Sequence, residues 1–82
     1  MKITFTKSSE KELLGVERKL GQRIFRKIST LATNPYQTGS VKLKGSESYR
    51  IRIGDFRVVY AIDKENKEVT IIKVEHRKEV YR

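Results

Sequence analysis

The chain has 82 residues, of which 19 are Lys or Arg and 10 are Asp or Glu, and its formal net charge is +9. This length suits one domain, which we expect to span residues 1–82. Cysteine is absent, which excludes disulfides, thiolate zinc sites and cysteine nucleophiles and favours a cytoplasmic location. No apolar run approaches the roughly 20 residues that cross a bilayer, so no membrane partner is predicted. The positive charge predicts a polyanionic partner, with simple solubility as the alternative explanation.

The first part of the chain predicts a short strand followed by a helix. Apolar and polar residues alternate over residues 2–6, as they do in a half-buried strand. Ser9 and Glu12 then have the spacing of a capping box, in which each side chain binds the other's backbone N–H. The pattern predicts a helix over residues 9–20, with Gly21 as its C-cap.

A second helix and a set of strands are predicted after that glycine. Apolar residues recur at helical spacing over residues 22–33, and Asn34-Pro35 follows them as a helix stop. The period then changes to two, which indicates strands joined by short turns. The predicted strands are residues 41–44, 49–53, 56–62 and 69–74.

This order of elements predicts an α+β fold built as a small two-layer domain. An N-terminal strand, an antiparallel helical hairpin and a mostly antiparallel four-stranded meander follow one another along the chain. The N-terminal strand must join the same sheet, because its apolar residues need a core to enter. The helices are predicted to pack on one face of the sheet and to leave the other face at least partly open.

Three arginines fall on the predicted open face. Arg50 and Arg52 are two residues apart on one strand, so their side chains leave the same face. Arg57 interrupts the most apolar strand of the chain, just after a Gly-Asp turn. A guanidinium offers planar donors suited to phosphate, so the three would form an anion site. The alternative is that Arg50 and Arg52 are ordinary solvent-facing residues and that Asp55 or Glu47 pairs with Arg57.

Residues 76–82 supply further candidates for chemistry. His76 follows directly from a predicted buried strand, and Tyr81 lies close enough in sequence to fold back over the sheet edge. An imidazole, a phenol and several guanidinium groups around one phosphate would suit RNA cleavage by the substrate's own 2′-hydroxyl. A lone histidine is more often structural, and this alternative stays open for His76. Because there is one His and the acidic residues lack ligand spacing, no metal or cofactor is predicted.

Three segments of the chain, taken in order, carry a family resemblance. They are Lys42-Leu43-Lys44-Gly45, Tyr49-Arg50-Ile51-Arg52-Ile53-Gly54-Asp55-Phe56-Arg57-Val58-Val59-Tyr60 and His76-Arg77-Lys78-Glu79-Val80-Tyr81-Arg82. In this order and spacing they resemble the RelE/ParE toxin superfamily, and most closely its RelE-like branch. The likeness covers essentially the whole chain.

The resemblance implies the toxin of a type II toxin–antitoxin system. Such a toxin is a metal-independent endoribonuclease, or mRNA interferase, that cleaves mRNA in the ribosomal A site and so inhibits translation. The implied partners are a cognate antitoxin, the ribosome and mRNA. The toxin alone is expected to be monomeric, and to form a hetero-oligomer with the antitoxin.

The resemblance also implies the catalytic residues, which are Arg50, Arg52, Arg57, His76, Arg77 and Tyr81. Arg57 would stabilise the phosphate in the transition state, and Tyr81 would act as a base or stack on the displaced nucleotide. Either His76 or Arg77 would be the general acid. The first two arginines stand where the best-known members have lysines, and arginine is the poorer proton acceptor.

Other basic residues would bind RNA or the ribosome. Lys42 and Lys44 alternate along one predicted strand, so they would share a face and extend the positive surface, or else protect an exposed sheet edge. The helical hairpin carries cations that would serve docking or solubility. These are Arg18, Lys19, Arg23, Arg26 and Lys27.

Two other functions remain open at this stage. A ParE-like toxin of the same fold would poison DNA gyrase rather than cut RNA. A catalytically weak, basic RNA-binding module is the other alternative, because arginines replace the lysines of the best-known members.

Overall fold

The computed structural model describes residues 1–45 and 47–76. Its elements in chain order are β1 (Lys2–Phe5), α1 (Lys7–Leu14), α2 (Arg18–Thr30), β2 (Val41–Lys42), β3 (Ser48–Ile53), β4 (Phe56–Asp63) and β5 (Glu68–His76). Within the described residues, neither helix has the length and apolar character required to span a bilayer.

The strands form one sheet in the order β1-β5-β4-β3-β2. Strands β2 to β5 are an antiparallel meander, and β1 lies parallel to β5 at the sheet edge. The predicted α+β architecture, with the helices on one face of the sheet, is therefore confirmed. Two strands differ from prediction by more than one residue, because β2 has only two residues and β5 continues to His76.

The break between the helices lies earlier than predicted. Helix α1 ends at its C-cap Gly15, and α2 runs through Gly21, so the prediction of Gly21 as a C-cap is wrong. Glu17 begins α2, because its carboxylate accepts hydrogen bonds from the backbone N–H groups of Lys19 (3.1 Å) and Leu20 (3.2 Å). An N-cap carboxylate also interacts favourably with the positive end of the helix dipole.

The start of α1 differs from the predicted capping box. Thr6 is the N-cap, and its hydroxyl accepts a hydrogen bond from the Ser9 N–H at 3.1 Å. The Ser9 hydroxyl is buried and donates to the Ile71 carbonyl at 2.8 Å. Glu12 accepts from the Val74 N–H at 3.0 Å. Helix α1 therefore satisfies the edge of β5 where β1 has ended, which is why these two side chains are not free to cap each other.

The core lies between α2 and the covered face of the sheet. The fully buried apolar residues of α2 are Ile24 and Ile28, and Leu31 follows them. The sheet contributes Ile51, Ile53, Val58, Tyr60, Ile62, Val69, Ile71 and Val74. The Tyr60 hydroxyl is buried and donates to the Pro35 carbonyl at 2.8 Å, and burial raises the pKa of this phenol.

A β-bulge interrupts the pairing of β4 with β5. Val59 lies opposite Lys73, whereas its neighbour Tyr60 lies opposite Ile71, so Ile72 is an extra residue in β5. A bulge of this kind reverses which face the following residues occupy.

The bulge determines which side chains of β5 lie on the exposed face of the sheet. After it, Val74 lies on the core side, where it is 4% exposed, while Lys73 and Glu75 lie on the face away from the helices. Without the extra residue, the strict alternation of a strand would direct these two charged side chains into the core.

Candidate functional site

The sheet face opposite the helices, here called the open face, brings the three predicted arginines together. Arg52 lies directly opposite Arg57, and Arg57 lies opposite Glu75, so these residues form one row across three strands. Arg50 belongs to the next row, with Val59 and Lys73. Residues directly opposite one another in an antiparallel pair share a face, with their Cβ atoms about 5 Å apart.

Arg57 is held by a carboxylate that the sequence analysis did not identify. Its Nη2 donates to Glu75 Oε2 at 2.8 Å, so the suggested partners Asp55 and Glu47 are wrong. The two side chains are 30% and 20% exposed. Lys73 Nζ lies 3.5 Å from the other Glu75 oxygen. The Arg57 Nε is buried and has no hydrogen-bond partner among the described residues.

Glu75 is ionised in this setting. Burial raises the pKa of its carboxyl, but the hydrogen bond from Arg57 and the charges of Arg57 and Lys73 outweigh it, so the pKa lies below its ordinary value. The open face therefore carries four cations around one fixed anion. The open face is therefore net positive and can bind phosphate. When no phosphate is bound, Arg57 still has Glu75 as its partner.

His76 lies on the other side of the sheet. It is opposite Phe56, and the two rings meet edge-on with centroids 5.0 Å apart. Its surroundings include Val74, Glu12 and Leu20, which belong to the helix-facing side. The structure therefore does not bring His76 to the open face with Arg57. The predicted residues Arg77 and Tyr81 lie outside the described residues.

The two lysines around β2 do not extend the arginine cluster as predicted. Lys42 lies opposite Tyr49, whose neighbours in β3 alternate with the arginines, so Lys42 is on the helix-facing side. Lys44 is exposed in the turn after β2, because the strand ends two residues earlier than predicted. The pairing of Val41 with Arg50 gives the open-face position to an apolar residue.

Four of the five helix cations line two grooves. Arg23, Arg26 and Lys27 line a groove that Arg52 closes from the sheet. Arg18 and Arg26 border an apolar groove between α1 and α2, and Lys19 is exposed on α2. The apolar groove has two large exposed side chains, Leu14 at 77% and Phe25 at 51%.

The sequence analysis did not identify two charged residues of the open face, Lys73 and Glu75. Simple alternation from Val69 and Ile71 assigns the positions of Lys73 and Glu75 to the core, and the predicted strand ended at residue 74. The available signal was the pattern of residues 73–75, in which Val74 stands between two charged neighbours. This pattern indicates a strand that has changed phase.

No metal site is evident among residues 1–45 and 47–76, which contain no group of three or more His, Asp or Glu side chains arranged to hold an ion. What the described arrangement offers is charge. Planar guanidinium donors converge on one surface where a phosphate would develop negative charge, and such fixed donors are the main electrostatic contribution to phosphoryl chemistry.

Comparison with known proteins identifies the family and the fold. Residues 3–81 match the family model described as the ParE toxin of the type II toxin–antitoxin system parDE. The RelE1 toxin homologue of Methanocaldococcus jannaschii is 41% identical over 59 residues, which cover 67% of this chain and 66% of that protein. The chain thus spans just under two thirds of that relative's length.

Solved structures match over nearly the whole chain. The archaeal RelE of the RelE–RelB complex from Pyrococcus horikoshii is 26% identical with a TM-score of 0.82, and the match covers 93% of each chain. The isolated RelE toxin of Escherichia coli is 25% identical with a TM-score of 0.81, and the match covers 98% of this chain and 89% of that chain.

Proposed function

Since the chain belongs to the ParE toxin family of type II toxin–antitoxin systems, within the RelE/ParE superfamily, we propose that it is a toxin that cleaves mRNA in the ribosomal A site. The observation that carries the proposal is the row formed by Arg52, Arg57 and Glu75 on the open face, with Arg50 in the next row. Inhibition of a protein target would not require guanidinium groups converging on one surface.

The chemistry uses the substrate's own nucleophile. The 2′-oxygen forms a bond to phosphorus, and the bond from phosphorus to the 5′-oxygen breaks, which leaves a 2′,3′-cyclic phosphate and a 5′-hydroxyl. A base takes the 2′-hydroxyl proton, and an acid gives a proton to the leaving oxygen. Arg57 and Arg52 stabilise the extra charge on the phosphorane, and the Arg57 guanidinium is held in the site by Glu75 before the reaction begins.

The proton transfers need help from outside the described open face. Arginine is a poor proton acceptor, Glu75 is paired with Arg57, and His76 lies on the other side of the sheet. The base and the acid would therefore be Tyr81 and Arg77, as the family resemblance implies, and the ribosome would hold the reacting atoms in line. We therefore expect little cleavage of free RNA by the purified protein.

The proposal includes a cognate antitoxin. The Pyrococcus horikoshii relative was solved in a RelE–RelB complex, which supports a bound antitoxin for this chain. In this chain the apolar groove between α1 and α2, with Leu14 and Phe25 exposed, needs a cover of that kind. The toxin alone is expected to be monomeric and to form a hetero-oligomer with the antitoxin.

Primer extension on translated mRNA after induced expression tests the proposal. Cuts at defined codon positions are expected with the wild type. They should disappear with Arg57→Ala and Tyr81→Phe, and persist with Lys7→Gln, which changes an exposed residue of α1. Intact mRNA together with accumulated gyrase–DNA breaks would support the ParE-like alternative. Intact mRNA without such breaks would support a non-catalytic RNA-binding module.

A further inference from the structure

The groove between α2 and the turn that joins β3 to β4, here called the α2 groove, holds a second concentration of positive charge. It is lined by Arg23, Arg26, Lys27, Arg52, Ile53 and Gly54, with Thr30 at its end. We propose that the α2 groove binds the phosphate backbone of the same RNA strand whose reacting phosphate lies on the open face. The inference rests on the proposed function and names how that substrate is held.

Among residues 1–45 and 47–76, the cations of the α2 groove have no anionic partner of their own. Among the described residues, the ion pairs are those of Glu75 with Arg57 and with Lys73, and no carboxylate lines this groove. Uncompensated like charges repel one another and raise the local positive potential. A bound anion would relieve this repulsion, whereas at Arg57 a protein carboxylate already does so.

The α2 groove is continuous with the open face around the edge of β3. Strand β2 pairs only with Tyr49 and Arg50, so within the described residues no strand covers this edge beyond Arg50. Arg52 lies opposite Arg57 on the open face and also lines the α2 groove, so it belongs to both surfaces. A phosphate backbone can therefore follow the cations from one surface to the other without crossing a covered edge.

The turn between β3 and β4 keeps this passage open. Gly54 has a φ of +60°, which L-residues with a side chain rarely adopt, and a Cβ placed there would lie 3.9 Å from Arg23 Nη1. The Arg23 guanidinium thus lies next to Gly54, the first residue of the turn, which has no side chain. A larger residue would narrow the route between the turn and α2.

The composition of the α2 groove favours RNA over an acidic protein. Ile53, the apolar residue that lines it, is buried, and no large exposed apolar side chain borders it in the described part of the chain. Protein partners usually anchor on such side chains, as the groove with Leu14 and Phe25 offers. Arginines, by contrast, bind phosphate through pairs of parallel hydrogen bonds.

The test compares two variants of equal charge. Arg26→Gln/Lys27→Gln removes two cations from the α2 groove, and Lys7→Gln/Lys64→Gln removes two exposed cations from α1 and from the turn before β5. Each protein is titrated with a 2′-O-methylated oligouridylate of about 12 nucleotides, which cannot be cleaved and falls within common single-strand site sizes. Binding is measured by fluorescence anisotropy at several salt concentrations, after thermal unfolding has verified that each variant folds.

The groove variant should flatten the plot of log affinity against log salt by about 1.4, since each lost contact to a single strand contributes about 0.7. If the plots meet near 1 M salt, this slope corresponds to roughly 25-fold weaker binding at about 0.1 M. The control variant should keep a slope close to that of the wild type. Equal slopes in the two variants would overturn the inference, and so would an absence of RNA binding by the wild type.

Two further arms separate the alternatives. Poly-glutamate of matched length should bind more weakly than the RNA and respond equally to both variants; a selective response of poly-glutamate to the groove variant would assign the groove to an acidic protein and overturn the inference. The cleavage assay on translating ribosomes is scored independently. If RNA binding depends on the α2 groove but no mRNA is cut, the inference about the groove is supported and the proposed cleavage activity is refuted. If mRNA is cut but the slopes are equal, the cleavage activity is supported and the inference about the groove is refuted.

Discussion

Replacing Glu75 with Gln tests how Arg57 is held on the open face. The change removes one charge from a pair whose atoms lie 2.8 Å apart, and it preserves the shape of the side chain. The open face then carries four cations without a fixed anion. Both the free energy of unfolding and the affinity for RNA should respond, in opposite directions.

The expected loss of stability follows from the exposure of the pair. Fully exposed ion pairs contribute about 0.2–1 kcal/mol, whereas removing one partner of a buried pair costs about 3–5 kcal/mol. Arg57 and Glu75 are 30% and 20% exposed, so solvent screens them in part. We expect Glu75→Gln to lower the free energy of unfolding by about 1–2 kcal/mol at pH 7, measured by urea denaturation.

The sign of the pH dependence separates charge from packing. The pKa of Glu75 is lower in the folded protein than its ordinary value of 4.5, so ionisation stabilises the fold above that value. This contribution is lost as the pH falls through the lowered folded pKa. The difference between the wild type and Glu75→Gln should therefore shrink as the pH falls below about 4. A difference that is the same at neutral and strongly acidic pH would refute the electrostatic reasoning.

RNA binding supplies the second readout. Freed from Glu75, Arg57 becomes available to phosphate, so the salt dependence of RNA binding should steepen by about 0.7 in slope. Glu65→Gln, which removes a charge from the exposed turn before β5, is the matched control and should leave the slope unchanged. An unchanged slope with Glu75→Gln would mean that releasing Arg57 from Glu75 adds no phosphate contact.

Three predictions concern the scaffold that carries the site. Tyr60→Phe leaves the buried carbonyl of Pro35 without its donor and should cost about 1–2 kcal/mol in urea denaturation; an unchanged midpoint would argue against this bond. Gly54→Ala forces a side chain into a φ of +60° and should cost about 1–2 kcal/mol, whereas Gly15→Ala, at a φ of −79°, should be neutral or stabilising; equal effects on Tm would contradict the assignment of strain. Ile28→Ala empties a fully buried position and should cost about 2–5 kcal/mol, and a smaller loss of unfolding free energy would indicate that α2 is loosely packed.

Much of the fold could be predicted because apolar and polar residues alternate strictly in several of the strands. Arg50 and Arg52 alternate with buried residues in β3, so their shared face followed from period two alone. The helix boundaries were harder, since Gly21 is an acceptable helix stop and nothing local says that Glu17 will cap instead. Which residue caps a helix depends on which side chains already make contacts elsewhere in the fold.

The rest of the site could not be predicted for a different reason. The bulge at Ile72 arises from pairing with β4, and no local pattern in residues 69–74 marks it strongly. The partner of Arg57 is remote in sequence, and it depends on the register of β5. His76 was expected near the arginines because it follows a strand, but its face is set by the same bulge. The positions of these residues therefore depend on the long-range register of β5, which a local sequence pattern does not reveal.

The position of β5 in the sheet has a consequence for when the protein becomes active during its own synthesis. Strand β5 lies between β1 and β4, yet it follows both in the chain, and β1 has no other strand to pair with in the described structure. Contacts between such distant segments slow folding and postpone it until the later segment is available. The open face, with Lys73 and Glu75, therefore cannot assemble on a nascent chain whose β5 is still inside the exit tunnel. Under the proposed function, a ribosome that makes this protein would not meet the active toxin until that strand emerges, and an antitoxin already in solution would have time to bind the chain as it folds.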